Sequence, residues 1–142
     1  MNDSNTDILK KAFPTVFGKL WGFECGDGWF DLIAKIATHI SNTTKYCYAV
    51  QVKEKFGSLR FYVHYDVDIN GEQTISEDQW KSVQDYISDI ESLSSKICED
   101  CGVELDATNK ESQKKLGYWI RNICKDCGEK YRKRKLKSQL AT

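Results

Sequence analysis

Two near-identical hexapeptides, ICEDCG and ICKDCG, set Cys98, Cys101, Cys124 and Cys127 as two Cys-x2-Cys pairs with a 22-residue gap. Two residues between thiols let both sulfurs of a pair reach one ion, and four thiolates match the tetrahedral preference of zinc. Nothing else in the chain restricts the fold as strongly, because a shared ion makes two distant segments converge on a point. A redox dithiol is the competing reading. Two matched copies, each followed by glycine and neither in a thioredoxin-like strand–helix setting, favour metal. Four cysteines close the coordination shell, so the expected cofactor is one structural Zn2+ and not a catalytic ion. Without it, residues 98–142 are not expected to hold a fold. The gap has room for a hairpin whose second strand would contain Tyr118, Trp119 and Ile120. A knuckle, a hairpin and a second knuckle opening a helix make a treble clef; a zinc ribbon is the alternative if the last segment is not helical.

The remaining 97 residues suffice for one modest core, and 142 in all exclude two large independent domains. Four Trp, seven Tyr and six Phe point to an aromatic core. After a short amphipathic start and the single proline, Pro14, the spacing of Leu32, Ile33, Ile36, Ala37 and Ile40 predicts a helix over 28–41, with Asp27 placed to cap it. YCYAVQVKEKFGSLRFYVHYDV reads as a hairpin. A turn at Gly57-Ser58 would pair Phe56 with Leu59, Val52 with Val63 and Val50 with Tyr65. Asn70-Gly71 marks a second turn, with a third strand at 72–75. Ser76 and Gln79 form a capping-box pattern before the apolar stripe Trp80, Val83, Ile87, Ile90, Leu93 and Ile97, predicting a helix over 76–97. The expected architecture is α+β. A core of helix, antiparallel hairpin or meander and second helix (1–97) leads into a four-cysteine zinc module with a basic C-terminal helix (98–142).

The formal net charge is zero, but residues 1–97 carry 10 basic and 14 acidic side chains and residues 98–142 carry 11 and 7. Four thiolates around Zn2+ add two negative charges, so part of this C-terminal excess offsets the cluster, Lys125 and Lys130 being nearest in sequence. On a helix running on from Cys127, Lys130, Lys133, Arg134 and Lys137 share one stripe, while Arg132 and Lys135 lie elsewhere. The stripe suits phosphate contact; a solvated helix with cations at its negative end is the competing reading. The outer hairpin face collects Lys53, Lys55, Arg60 and Tyr62. The proposed register sets Lys55 against Arg60, a repulsion that an anionic ligand or acidic partner would relieve.

ECGDGW lacks the ending of a phosphate loop; its glycines suit a tight approach to the helix above Trp29. Cys25 and Cys47 fall in no catalytic motif, and no catalytic residue is expected. The N-terminus has no signal-peptide pattern and no stretch nears membrane-spanning length, so a cytoplasmic protein with no membrane partner is expected.

GDGWFDLI, VQVKEKFGSLRFYV (50–63) and the paired Cys-x2-Cys motifs together resemble a family of small uncharacterised proteins of tailed phages and prophages, over roughly residues 20–128. The resemblance implies a bacterial host cytoplasm and an accessory role, in which a phage protein binds and alters a host component. It implies no activity. The expected function is therefore non-enzymatic binding of a nucleic acid, or of a host complex that handles one. The alternatives are an antagonist acting purely by protein–protein contact and, more remotely, an enzyme using Cys25 or Cys47. No small-molecule substrate is expected.

Overall fold

The computed structural model describes residues 1–141. Asn2 caps α1 (Asp3–Ala12), its side chain accepting the Asn5 N–H at 2.7 Å. Pro14 starts the one-turn α2 (Pro14–Phe17), where its missing N–H costs nothing. β1 (Phe23–Glu24) and a 3-10 turn (Asp27–Trp29) lead to α3 (Phe30–Thr43), β2 (Cys47–Lys55), β3 (Ser58–Tyr65) and α4 (Glu77–Ser94). Beyond these lie the short α5 (Gln113–Leu116) and α6 (Lys125–Leu140).

The expected helix over 28–41 is α3, and Leu32, Ile33, Ile36, Ala37 and Ile40 are its buried face. Asp27 does not cap it. The carboxylate accepts instead from the Asn2 N–H at 2.8 Å and from Asn5 Nδ2 at 3.0 Å, tying α1 to this loop. α4 opens on the expected capping box, with Ser76 Oγ and Gln79 Oε1 each accepting the other residue's N–H, at 3.1 and 2.9 Å.

The hairpin turns one residue earlier than its sequence suggests. Phe56 and Gly57 both have positive φ, 52° and 83°, and Lys55 stands opposite Ser58. Such a turn matches the right-handed strand twist and wants glycine at its second position, which Gly57 fills. Val52 therefore faces Phe61, Lys53 faces Arg60, and a bulge between Ala49 and Gln51 sets Val63 against Ala49 and Tyr65 against Cys47. The expected Phe56–Leu59, Val52–Val63, Val50–Tyr65 and Lys55–Arg60 pairs do not form. Leu59 and Phe61 still face the core because the register there differs by an even step, and the bulge takes up the odd residue before Val63, which faces it too. The bulge turns Val50 outward and puts Ala49 and Cys47 inside.

The third strand is β1, parallel to β2 with Phe23 beside Val52, giving a mixed sheet in the order β1-β2-β3. The strand expected at 72–75 is reduced to one bridge, Val67–Gln73. There the Asp68 carboxylate accepts the N–H groups of Asn70 and Glu72, both at 2.8 Å, which holds a loop. At the other edge, α4 takes up two outward N–H groups of β3. Leu59 donates to Ser94 Oγ and Phe61 to Glu91 Oε2, both at 2.8 Å. An edge strand left bare there would invite pairing with another chain.

Two buried clusters result. The larger holds Trp29, Phe17, Ile33, Ile36, Ile40, Val52 and Leu59 between the sheet and α1–α4. The smaller holds Cys98, Leu116, Ile123, Cys124 and Cys127. No described helix is long and apolar enough to cross a membrane.

Candidate metal centre

The first knuckle turns at Gly102 (φ 82°), whose N–H donates to the Cys98 carbonyl at 2.9 Å. Cys98 N–H meets the Val103 carbonyl at 2.8 Å, closing a one-bridge hairpin at Ile97–Glu104. The second knuckle is the first turn of α6, with Cys124 as N-cap residue and the Cys127 N–H donating to its sulfur at 3.4 Å. A knuckle followed by a helix that opens on the second pair is the treble-clef arrangement. Its central hairpin has shrunk to one bridge, Lys110–Cys124.

Tyr118, Trp119 and Ile120 are not a strand. Gln113 Nε2 donates to the carbonyls of Gly117 and Trp119 at 3.0 and 2.7 Å, and its Oε1 accepts the Arg121 N–H at 3.3 Å. One side chain thus supplies the partners that a neighbouring strand would have given.

The four sulfurs lie within 4.8 Å of one another. Cys101 Sγ and Cys124 Sγ are 3.7 Å apart, too far for a disulfide and close to the edge of a tetrahedron with zinc–sulfur bonds of about 2.3 Å. The Cys124 N–H also donates to Cys98 Sγ at 3.3 Å. The residues present fit one four-coordinate ion, and the donor set is that of structural zinc. Before an ion binds, burial and then the adjoining Cys124 sulfur push Cys127 above the ordinary thiol range, and burial raises Cys101. Burial works to raise Cys124 as well, but hydrogen bonds from Cys127 and the neighbouring sulfurs outweigh it and bring Cys124 below that range.

The ECGDGW loop packs on the first knuckle. Gly28 N–H donates to the Glu99 carbonyl at 2.7 Å, and a Cβ at Gly28 would stand 2.1 Å from the Cys98 carbonyl oxygen. Gly26 N–H donates to Glu99 Oε2 at 2.9 Å, and Trp29 Nε1 to the Ile97 carbonyl at 3.1 Å. Arg121, only 8% exposed, closes the joint. Its Nη2 donates to Asp100 Oδ1 at 2.6 Å and lies 3.3 Å from Glu99 Oε1. Burial raises the Glu99 carboxyl above the usual range, with Arg121 pulling the other way. The hairpin tip docks as well, the Asn122 side chain donating to the Gly57 carbonyl at 2.7 Å. Sequence reasoning overlooked Glu99, Asp100 and Arg121; the spacing of two carboxylates and an arginine across the gap carries no periodic signal.

Lys130 lines a cleft with Cys101 and Cys127, and Lys125 one with Cys101 and Cys124, so both cations stand near the sulfurs. Along exposed α6, Lys133 pairs with Glu129 at 3.0 Å and Arg132 with the buried Glu111. Arg134 reaches two clefts, one with Asp27, Asp100 and Lys130, the other with Trp119, Tyr131 and Lys135. Lys137 is exposed. On the hairpin, Lys53, not Lys55, stands opposite Arg60, and on its other side it neighbours Glu24 of β1. Arg60 donates to Ser58 Oγ at 2.9 Å, and Tyr62 is exposed beside Gln51. Burial pushes Cys25 up to about 12, Glu99 adding to the effect, and Cys47 up to about 11. Neither supplies a thiolate at neutral pH.

Fold and site together define a small α+β protein built onto a four-cysteine metal module. Comparison with protein-family models, with curated proteins and with solved structures finds no match.

Proposed function

We propose that the chain is a non-enzymatic binding protein that uses a zinc-stabilised module to hold α6 against a nucleic acid, or against a host complex that handles one. One observation carries the reading. α6 leaves the cysteine cluster with Lys130, Arg134, Lys135 and Lys137 exposed and without a carboxylate ion pair among the described residues. A helix so charged repels itself and gains most from a polyanion. The hairpin face is the weaker candidate, since Glu24 beside Lys53 already moderates the Lys53–Arg60 repulsion. The closed shell and the two protonated, buried lone thiols support the non-enzymatic part. The resemblance of GDGWFDLI and VQVKEKFGSLRFYV to phage and prophage proteins supports a bacterial cytoplasm as the setting of this role.

The test is retention of the zinc-loaded protein on immobilised DNA across a salt series. Retention is expected to weaken steeply with salt, and to be lost when Lys130, Lys133, Arg134 and Lys137 are replaced by Ala. Unchanged retention of that variant refutes the helix as the working surface.

A second reading is favoured by another observation. Phe56 and Ile120 are exposed around the docked hairpin tip, an apolar pair suited to a protein partner. An antagonist acting through that patch predicts a host complex that survives nuclease and is lost in Phe56→Ser with Ile120→Ser.

A further inference from the structure

Trp119 and Arg121, from the segment entering the second knuckle, lie beside α6 and enclose with it a groove of about 620 Å3. The helix contributes Tyr131, Arg134, Lys135 and Ser138, which stand at i, i+3, i+4 and i+7 and so share one face. This face includes Lys135, which the stripe read from sequence leaves out.

Three properties of the groove restrict what it takes. Trp119 is half exposed, yet its ring is held from within. The Arg121 guanidinium carbon lies 4.9 Å from the ring centroid, and the Tyr131 ring meets it edge-on at 6.2 Å. Arg121 is itself fixed by Asp100 and Glu99. A tryptophan pinned in this way offers a stacking surface with little rotamer entropy left to lose on binding. Next, no carboxylate is among the described residues that line the groove, in contrast to the neighbouring cleft with Asp27 and Asp100. Arg134 and Lys135, neither in an ion pair among the described residues, thus present positive charge beside the ring. Finally, cation and ring are neighbours on one short surface, so a ligand must bring an anion and a flat π-face together.

A duplex brings phosphates but keeps its base faces stacked inside; a single strand brings both at once. We infer that the groove is a subsite for single-stranded polynucleotide, one base stacking on Trp119 and the flanking phosphates meeting Arg134 and Lys135. The inference rests on the nucleic-acid reading of α6 and narrows it to one strand state and one base position.

The test uses the full, zinc-loaded chain and fluorescence anisotropy with a labelled single-stranded oligonucleotide, in DNA and RNA arms, against a duplex of the same sequence. The single strand is expected to bind at least about tenfold more tightly than the duplex. Trp119→Ala should weaken single-strand binding by about tenfold or more, the range typical of a lost stacking platform, and leave duplex binding unchanged. Trp119→Phe should recover most of the loss. Lys135→Gln, which leaves the ring packing alone, should weaken the single strand and flatten its salt dependence. If Trp119→Ala loses zinc or fold, the Phe and Gln variants decide the matter. Equal affinity for both strand states, or a Trp119→Phe variant as weak as Trp119→Ala in a folded protein, overturns the groove subsite and leaves the basic-helix reading standing. Competition by polyglutamate as effective as that by the oligonucleotide also overturns it, because charge alone would then suffice. Binding of neither strand state overturns both readings together.

Discussion

At the scale of single residues, the joints of this protein are backbone groups met by an atom that nothing else could supply. Gly28 is the sharpest case, its place set by the Cys98 carbonyl 2.1 Å from where a Cβ would stand. That neighbour is backbone and cannot swing aside, so Gly28→Ala is expected to cost about 1–3 kcal/mol, typical of overpacking, as a lowered urea midpoint. Ser94 is the counterpart in the core. Its buried hydroxyl accepts the Leu59 N–H and donates to the Glu91 carbonyl at 2.6 Å. Ser94→Ala strands that N–H away from water, and about 1–3 kcal/mol should be lost in thermal or urea unfolding.

At the scale of elements, the knuckles and α6 have far less apolar burial to hold them than β2 and β3 have. Beyond the sulfurs the smaller cluster buries only Leu116 and Ile123, with Leu105 and Tyr131 partly covered. Chelation is therefore expected to melt α6 and the 98–124 loop, with hydrogen exchange there rising while β2, β3 and α3 stay protected. The pH dependence has a definite sign. Cys127 and Cys101 are held above the ordinary thiol range before an ion binds, so they are protonated at neutral pH and an incoming metal ion must displace their protons. Apparent zinc affinity should fall as pH falls, and binding should release protons, measurable by calorimetry in buffers of different ionisation enthalpy.

At the scale of the whole molecule, the larger core and the metal module are coupled through Glu99 and Arg121. Arg121→Met would leave the Glu99 carboxylate, 4% exposed, without its cation, and a loss of about 3–5 kcal/mol is expected at pH 8. Burial already raises the Glu99 carboxyl, and removing Arg121 raises it further. The folded variant then binds a proton that the unfolded chain has released. Its stability should fall as pH rises through that raised value, so the deficit against the unaltered protein should be smaller at pH 5 than at pH 8. Equal deficits at both would mean that packing, not charge, is what Arg121 supplies.

How much of this was legible in the chain follows from how local each cause is. The cysteine spacing, the α3 and α4 apolar stripes and the Ser76–Gln79 box are relations within a turn or two of helix, and the sequence states them outright. The convergence of the four cysteines, the α+β class and the face of β3 that meets the core needed nothing further. Tertiary structure decided what depends on meetings between distant segments. β1 is two residues long and has no period to read; it is a strand because Phe23 reaches Val52. The hairpin turns at Phe56-Gly57, a tip whose Gly57 carbonyl is met by Asn122, 65 residues away. ECGDGW is the tight helix entry that its glycines suggest, and tertiary structure adds that it also seats a knuckle, because only where Cys98 and Glu99 press on it does the want of a Cβ matter.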